Sequence, residues 1–164
     1  MVIKDALLSF KGTRRRIEMK SLIGGVLFLD DYAHHPTEIR ATLETVKGLG
    51  YRRIIAIFQP HRFSRTKLLL EEFSHSFDLA DLVVITDIYP ADEKPIEGIS
   101  GKSIFEKIRL YGKSPWVEFL SKDEIVPYIL DIIKEGDLVI TLGAGDIYIV
   151  ADELVQRFKE QNKN

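Results

Sequence analysis

Cysteine is absent from the chain. That excludes a disulfide framework and any thiolate metal site. Charge of one sign is not in excess either: 23 Lys and Arg face 25 Asp and Glu, a formal net charge of -2. This balance argues against a dedicated nucleic-acid binder, so local basic clusters need their own explanation. No apolar run approaches the ~18 residues that cross a bilayer. Lys4, Asp5 and Lys11 interrupt the stretch where a signal-peptide core would lie. The expectation is a cytoplasmic domain with no membrane and no nucleic-acid partner. What is present is a chain of 164 residues, 45% hydrophobic and 29% charged, which suits one domain with a real core.

Its most informative stretch is Val26-Leu27-Phe28-Leu29-Asp30-Asp31-Tyr32-Ala33-His34-His35-Pro36-Thr37-Glu38. Four apolar residues read as a buried strand. Pro36, followed by an amphipathic run, reads as a helix start. Two carboxylates, a phenol and two imidazoles therefore sit where a strand ends and a helix begins, the place where open α/β sheets bind ligands. The bland alternative is a hydrophilic turn with a helix cap.

Around this stretch the chain alternates. Residues 2–10 have helical spacing, and a chain that begins inside a helix is expected of a domain cut from a longer protein. Arg14 to Lys20 is a polar strand candidate and Ser21 to Gly25 a turn, so that Val26 to Leu29 completes a β-hairpin. Arg14-Arg15-Arg16 is either an edge-strand guard or an anion-binding arm. Thr37 to Gly48 is a helix, Ile54 to Phe58 a strand covered on both sides, and a further helix faces Leu69, Phe73 and Phe77 inward. Leu82 to Ile85 is a strand, 88–101 a long loop, Ser103 to Arg109 a helix and Trp116 to Phe119 a strand. Ser121 to Glu124 matches a capping box, with Pro127 either near the true helix start or at a kink. Asp137 to Leu142 is a strand, and an amphipathic helix follows with Ile147, Val150, Ala151, Leu154, Val155 and Phe158 on one face. The expected fold is α/β, Rossmann-like: a mostly parallel sheet with helices on both faces, entered by an N-terminal hairpin and forming a single domain.

Polar clusters follow strands: Asp30 to His35, Gln59 to Thr66, Thr86 to Lys94 and Gly143 to Asp146. In a parallel sheet these ends share one rim, so the clusters converge. His61, Arg62 and Arg65 at the mouth of a helix starting near Ser64 read as an anion site, since a guanidinium fork suits a carboxylate or phosphate and helix N–H groups add positive potential. Asp30 and Asp31 suit sugar hydroxyls or a metal, but adjacent histidines rarely meet one ion, so no metal site is assigned to His34 and His35. His75 reads as a surface residue. Gly98 to Ser103 lacks the spacing of a P-loop, and Tyr148 stands where a dinucleotide fingerprint needs its third glycine.

Taken together, the Asp30–Glu38 segment, Gln59-Pro60-His61-Arg62-Phe63-Ser64-Arg65-Thr66, Asp87-Ile88-Tyr89-Pro90-Ala91 and Gly143-Ala144-Gly145-Asp146 resemble the C-terminal domain of a Mur ligase over essentially the whole chain. The Gln-Pro-His-Arg element favours the alanine-adding members over the murein-peptide ligases. The resemblance implies a three-domain, ATP-dependent ligase of peptidoglycan precursor synthesis, with N-terminal UDP-binding and central ATPase domains lying outside these residues. It implies ATP, magnesium held mainly outside this domain, L-alanine and UDP-N-acetylmuramate as partners, and no activity from this domain alone. Carried onto this chain, Asp31, and less so Asp30, match nucleotide-binding residues. Tyr32 and His34 match residues facing the reaction, and His61, Arg62 and Arg65 match those around the incoming alanine. His34, His61 and Arg62 are the implied catalytic group. The competing reading is a stand-alone phospho-receiver-like or nucleotide-binding module with Asp30, Asp31 and Asp87 at its centre.

Overall fold

A computed structural model describes residues 15–162. The helix expected over 2–10, and Arg14, lie outside the described residues. Six strands form one sheet in the order β1-β2-β6-β3-β4-β5. They are β1 (Glu18–Ile23), β2 (Val26–Asp31), β3 (Arg53–Phe58), β4 (Leu82–Ile85), β5 (Trp116–Phe119) and β6 (Asp137–Leu142). Only the β1–β2 hairpin pair is antiparallel; the remaining neighbours are parallel.

The apolar strands are covered twice, as their composition requires. Along β3, Ile54, Ala56 and Phe58 enter one core while Ile55 and Ile57 enter the other. The first core is closed by α1 (Pro36–Lys47), α3 (Leu70–Ser74) and α4 (Gly101–Tyr111), the short α2 (Phe63–Leu68) leading into α3. The second is closed by α5 (Lys122–Ile132) and α6 (Tyr148–Gln161). No described helix is long and apolar enough to cross a membrane.

Local structure departs from the sequence reading in three places. The first strand is shifted: β1 runs to Ile23, and the turn is Gly24-Gly25 alone, with φ of 54° and 74°. Positive φ at both positions is what a two-residue hairpin loop demands. Ser21, Leu22 and Ile23 thus pair with Phe28, Leu27 and Val26, and Arg15 and Ile17 are left in a loop with φ of 62° and 45°. The helix after His61 breaks at Leu69, which has φ -110° and ψ 21°. The Ser74 and Ser76 hydroxyls donate back to Glu71 O (2.6 Å) and Glu72 O (2.7 Å) and end the second segment. Phe73 and Phe77 are nevertheless buried. Finally, α5 begins at Lys122, so the Ser121/Glu124 capping box sets its start and Pro127 lies inside it.

Candidate active site

Strand register brings the loops together. Asp31 and Phe58 both pair with Leu142, and Phe58 pairs with Ile85, so β2, β6, β3 and β4 end level. The segments that follow meet as a row of rings. Tyr32 meets His34 edge-on at 5.3 Å between centroids, His34 lies 5.8 Å from His61, and His61 stacks on Tyr89 at 5.5 Å. Asp31, His34, His61 and Arg62 therefore share one rim.

Each acidic residue of the first segment is committed. Asp30, wholly buried, accepts from Arg15 Nε (3.0 Å) and the Thr141 hydroxyl (2.6 Å). Burial raises its carboxyl above the ordinary range, against the pull of those two donors. Asp31 accepts from Ile17 N–H (2.6 Å), Ala33 N–H (2.8 Å) and the Thr42 hydroxyl (3.3 Å). Two donors use one of its oxygens and one uses the other, so one acceptor position is left. Asp31 also lines an open cavity of about 350 Å³, together with Arg16, Tyr32, Glu38 and Thr42.

The two histidines diverge. His35 is the N-cap of α1, its Nδ1 accepting from Thr37 N–H at 3.3 Å, so the helix-cap reading holds for this residue. His34 instead turns its Nδ1 to the Tyr32 carbonyl oxygen at 3.0 Å. Glu38 accepts from the backbone N–H groups of His34 (3.0 Å) and His35 (3.1 Å), closing the capping box. Burial raises the Glu38 carboxyl, but those two donors outweigh it and hold it below the usual range.

The second segment is strained. Arg62 has φ 74° and ψ 136°, a conformation costing a non-glycine residue about 1–3 kcal/mol. It is held there by Arg62 N–H donating to Tyr89 O (2.9 Å) and by the Thr66 hydroxyl donating to Arg62 O (2.9 Å). The Arg62 side chain is exposed, and its guanidinium has no hydrogen-bond partner among the described residues. Arg65 lies 3.3 Å from His61 Nδ1 and also reaches His61 O. Burial, then Arg65, His34 and Arg62, push the His61 imidazole below its ordinary range. The expected anion site at the start of α2 is altered at Ser64, whose N–H (2.9 Å) and hydroxyl (2.5 Å) are both taken by Glu93 of the β4–α4 loop. His75 is exposed, 3.8 Å from Asp78.

Arg15 resolves part of the triple arginine. Its Nε, Nη1 and Nη2 donate to Asp30, Gly145 O (3.0 Å) and Gly143 O (2.5 Å), and its guanidinium lies over the rings of Tyr32 and Tyr148. It is neither edge guard nor free anion arm but a clamp on the rim. The β6–α6 turn is packed from within: a Cβ on Gly145 would fall 2.4 Å from Gln59 Oε1 and 2.6 Å from Tyr89 Cγ. The close approach that Gly145 permits is made by Gln59 and Tyr89. Gly98 to Ser103 is a helix start, capped by Ser100 and Ser103.

Sequence reasoning assigned no site role to Tyr89, Arg15 or Glu93. Tyr89 carries a signal, since it lies in a cluster that follows a strand. Glu93 lies in the same cluster, but its pairing with Ser64, 29 residues away, has no local signal. Among the described residues no group of three or more His, Asp and Glu side chains gathers as a metal site.

A parallel α/β domain with imidazoles and guanidinia on its carboxyl rim is the class that fold and site define. Residues 15–145 match the model of the family described as Mur ligase, glutamate ligase domain, and the chain belongs to that family. It is 50% identical over 161 residues to UDP-N-acetylmuramate–L-alanine ligase of Caldanaerobacter subterraneus subsp. tengcongensis, covering 98% of the chain and 34% of the relative. To the enzyme of the same name from Geotalea daltonii it is 43% identical over 158 residues, 96% of the chain and 34% of the relative. Among solved structures, UDP-N-acetylmuramate-alanine ligase MurC from Thermotoga maritima superposes with a TM-score of 0.71 at 31% identity, over 96% of this chain and 33% of that one. The chain thus spans about a third of the length of the relatives it matches. A receiver-like module is not favoured: the relatives are ligases, and Asp30 and Asp31 are occupied by Arg15, Thr141, Thr42 and backbone donors.

Proposed function

We propose that the chain is the C-terminal domain of an ATP-dependent ligase that joins L-alanine to UDP-N-acetylmuramate through an acyl phosphate, in the cytoplasm, for peptidoglycan precursor synthesis. The observation that carries this reading is the row from Tyr32 through His34 and His61 to Tyr89, with Arg62 and Arg65 beside it, in a chain half identical to a ligase of that name. The N-terminal UDP-binding and central ATPase domains are the remaining two thirds in this reading.

Each residue's part follows from its chemistry. A free amino acid must be held by its carboxylate while its nitrogen is aimed at the acyl carbon. Arg62, with an unpartnered fork, is the group for that carboxylate, and Arg65 fixes His61 beside it. Tyr32, exposed at the cavity mouth, flanks the same path. Asp31, with one acceptor position left, suits a ribose hydroxyl of ATP. Asp30, buried between Arg15 and Thr141, has a structural part. Among the described residues no three His, Asp or Glu side chains gather as a metal site, and in this reading the magnesium that accompanies ATP belongs mainly to the ATPase domain.

In an enzyme reconstituted to full length, Arg62→Ala is expected to raise the KM for L-alanine at least tenfold, about the loss of one charge-assisted pair, with the KM for ATP within about twofold. Steady-state kinetics in both substrates checks this, and equal effects on the two would count against the assignment.

A further inference from the structure

The two rim histidines are set in opposite tautomers. His34 Nδ1 lies 3.0 Å from the Tyr32 carbonyl oxygen and 3.5 Å from Glu38 Oε2. Both neighbours only accept, so Nδ1 carries the proton and Nε2 is left with a bare lone pair. His61 is the reverse. The guanidinium of Arg65 has no lone pair to offer, so at 3.3 Å it donates to His61 Nδ1, and the proton of that ring sits on Nε2. One ring thus presents an acceptor to the rim and the other a donor, 5.8 Å apart between centroids.

We infer that His34 Nε2 is the base that takes the proton from the incoming amino acid, that His61 Nε2–H is a hydrogen-bond donor and not a base, and that Glu38 is a positioning residue that holds His34 in the productive tautomer. The inference rests on the ligase reading for its substrate, and on side-chain geometry alone for the tautomers. The amino acid arrives as an ammonium. One N–H bond breaks with its pair kept on nitrogen, and the proton passes to His34 Nε2. The amine then attacks the acyl-phosphate carbon, the C–N bond forms and the carbonyl pair moves to oxygen. Collapse expels phosphate with the C–O pair, and the leaving phosphate takes the second nitrogen proton. The imidazolium on His34 faces Glu38 on α1 and the Tyr32 carbonyl on one side and the His61 ring on the other; the cations Arg65 and Arg62 lie about His61. Glu38 is the carboxylate that offsets those cations, and the arrangement follows the base-and-orienter logic of acyl-transfer sites.

Glu38→Gln separates the two parts played by Glu38, because glutamine serves a capping box as well as glutamate does but carries no charge. In the 164-residue chain at alkaline pH, ring 15N shifts are expected to report Nδ1–H for His34 and Nε2–H for His61, and Glu38→Gln to shift His34 toward a mixture with α1 intact by circular dichroism. In the reconstituted enzyme at saturating L-alanine, His34→Gln is expected to lower kcat about a hundredfold or more, and Glu38→Gln to lower it severalfold with KM unchanged. An Nε2–H tautomer at His34, or a His34 tautomer indifferent to Glu38→Gln, would overturn the inference. So would a kcat unmoved by His34→Gln. None of these outcomes depends on Arg62, so a failed alanine site would be told apart by the KM test on that residue.

Discussion

Arg15 and Arg16 are neighbours of the same type with different surroundings. Arg15 donates from each of its three side-chain nitrogens, to Asp30, Gly145 and Gly143, between two tyrosine rings. Removing it leaves a wholly buried carboxylate without its cation. Arg15→Gln is expected to cost about 3 kcal/mol of stability in urea unfolding, whereas Arg16→Gln, at an exposed side chain on the cavity, is expected to stay within about 0.5 kcal/mol. His61 makes a pH prediction. Its folded pKa lies below the unfolded one, because burial and the cations Arg65 and Arg62 disfavour the imidazolium. Between the two values the unfolded chain binds more protons, so stability rises with pH there. The contribution is present above the unfolded pKa of about 6.5 and is lost as pH falls through the folded one. Urea midpoints measured from pH 5 to 7.5 should show that rise, and His61→Gln should flatten it. Nothing in the run Arg14-Arg15-Arg16 distinguishes these arginines; what separates Arg15 is contact with residues up to 130 positions away.

Elements were legible in proportion to how far local pattern decides them. The continuous apolar runs of β3, β4 and β6 read directly as strands, whereas the start of α5, left open in the sequence between the Ser121 capping box and Pro127, falls at the capping box. The helix after His61 was misread as continuous because Leu69, Phe73 and Phe77 keep helical spacing through the break, while the serine hydroxyls that stop it act over three and four residues. The β6–α6 turn is the element where two segments press closest. Gly145→Ala would drive a Cβ into Gln59 Oε1 and the Tyr89 ring. It is expected to destabilise the chain by about 2 kcal/mol, read in urea unfolding, and to disturb the stacked His61–Tyr89 pair.

At the scale of the whole molecule, the sheet separates two rims. Arg53 and Asp137 pair at the starts of β3 and β6, with Nε–Oδ1 at 3.0 Å and Nη2–Oδ2 at 2.6 Å, and hold the rim remote from the site. The opposite rim carries the imidazoles and guanidinia but no complete P-loop. The 164-residue chain alone, given ATP, magnesium, UDP-N-acetylmuramate and L-alanine, is therefore expected to release no phosphate above the uncatalysed rate in a coupled phosphate assay.

Periodicity and the order of strands and helices determine that this chain makes a parallel α/β sheet, and motif order determines that its polar clusters follow its strands. Those are short-range properties, written in residues a few positions apart. Which oxygen of Asp31 is left open, which nitrogen of His34 or His61 is bare, and which of three arginines is a clamp depend on groups that meet only after the strands are paired. Hydrogen-bond direction and burial are set by those long-range neighbours, so the tertiary structure alone decided them.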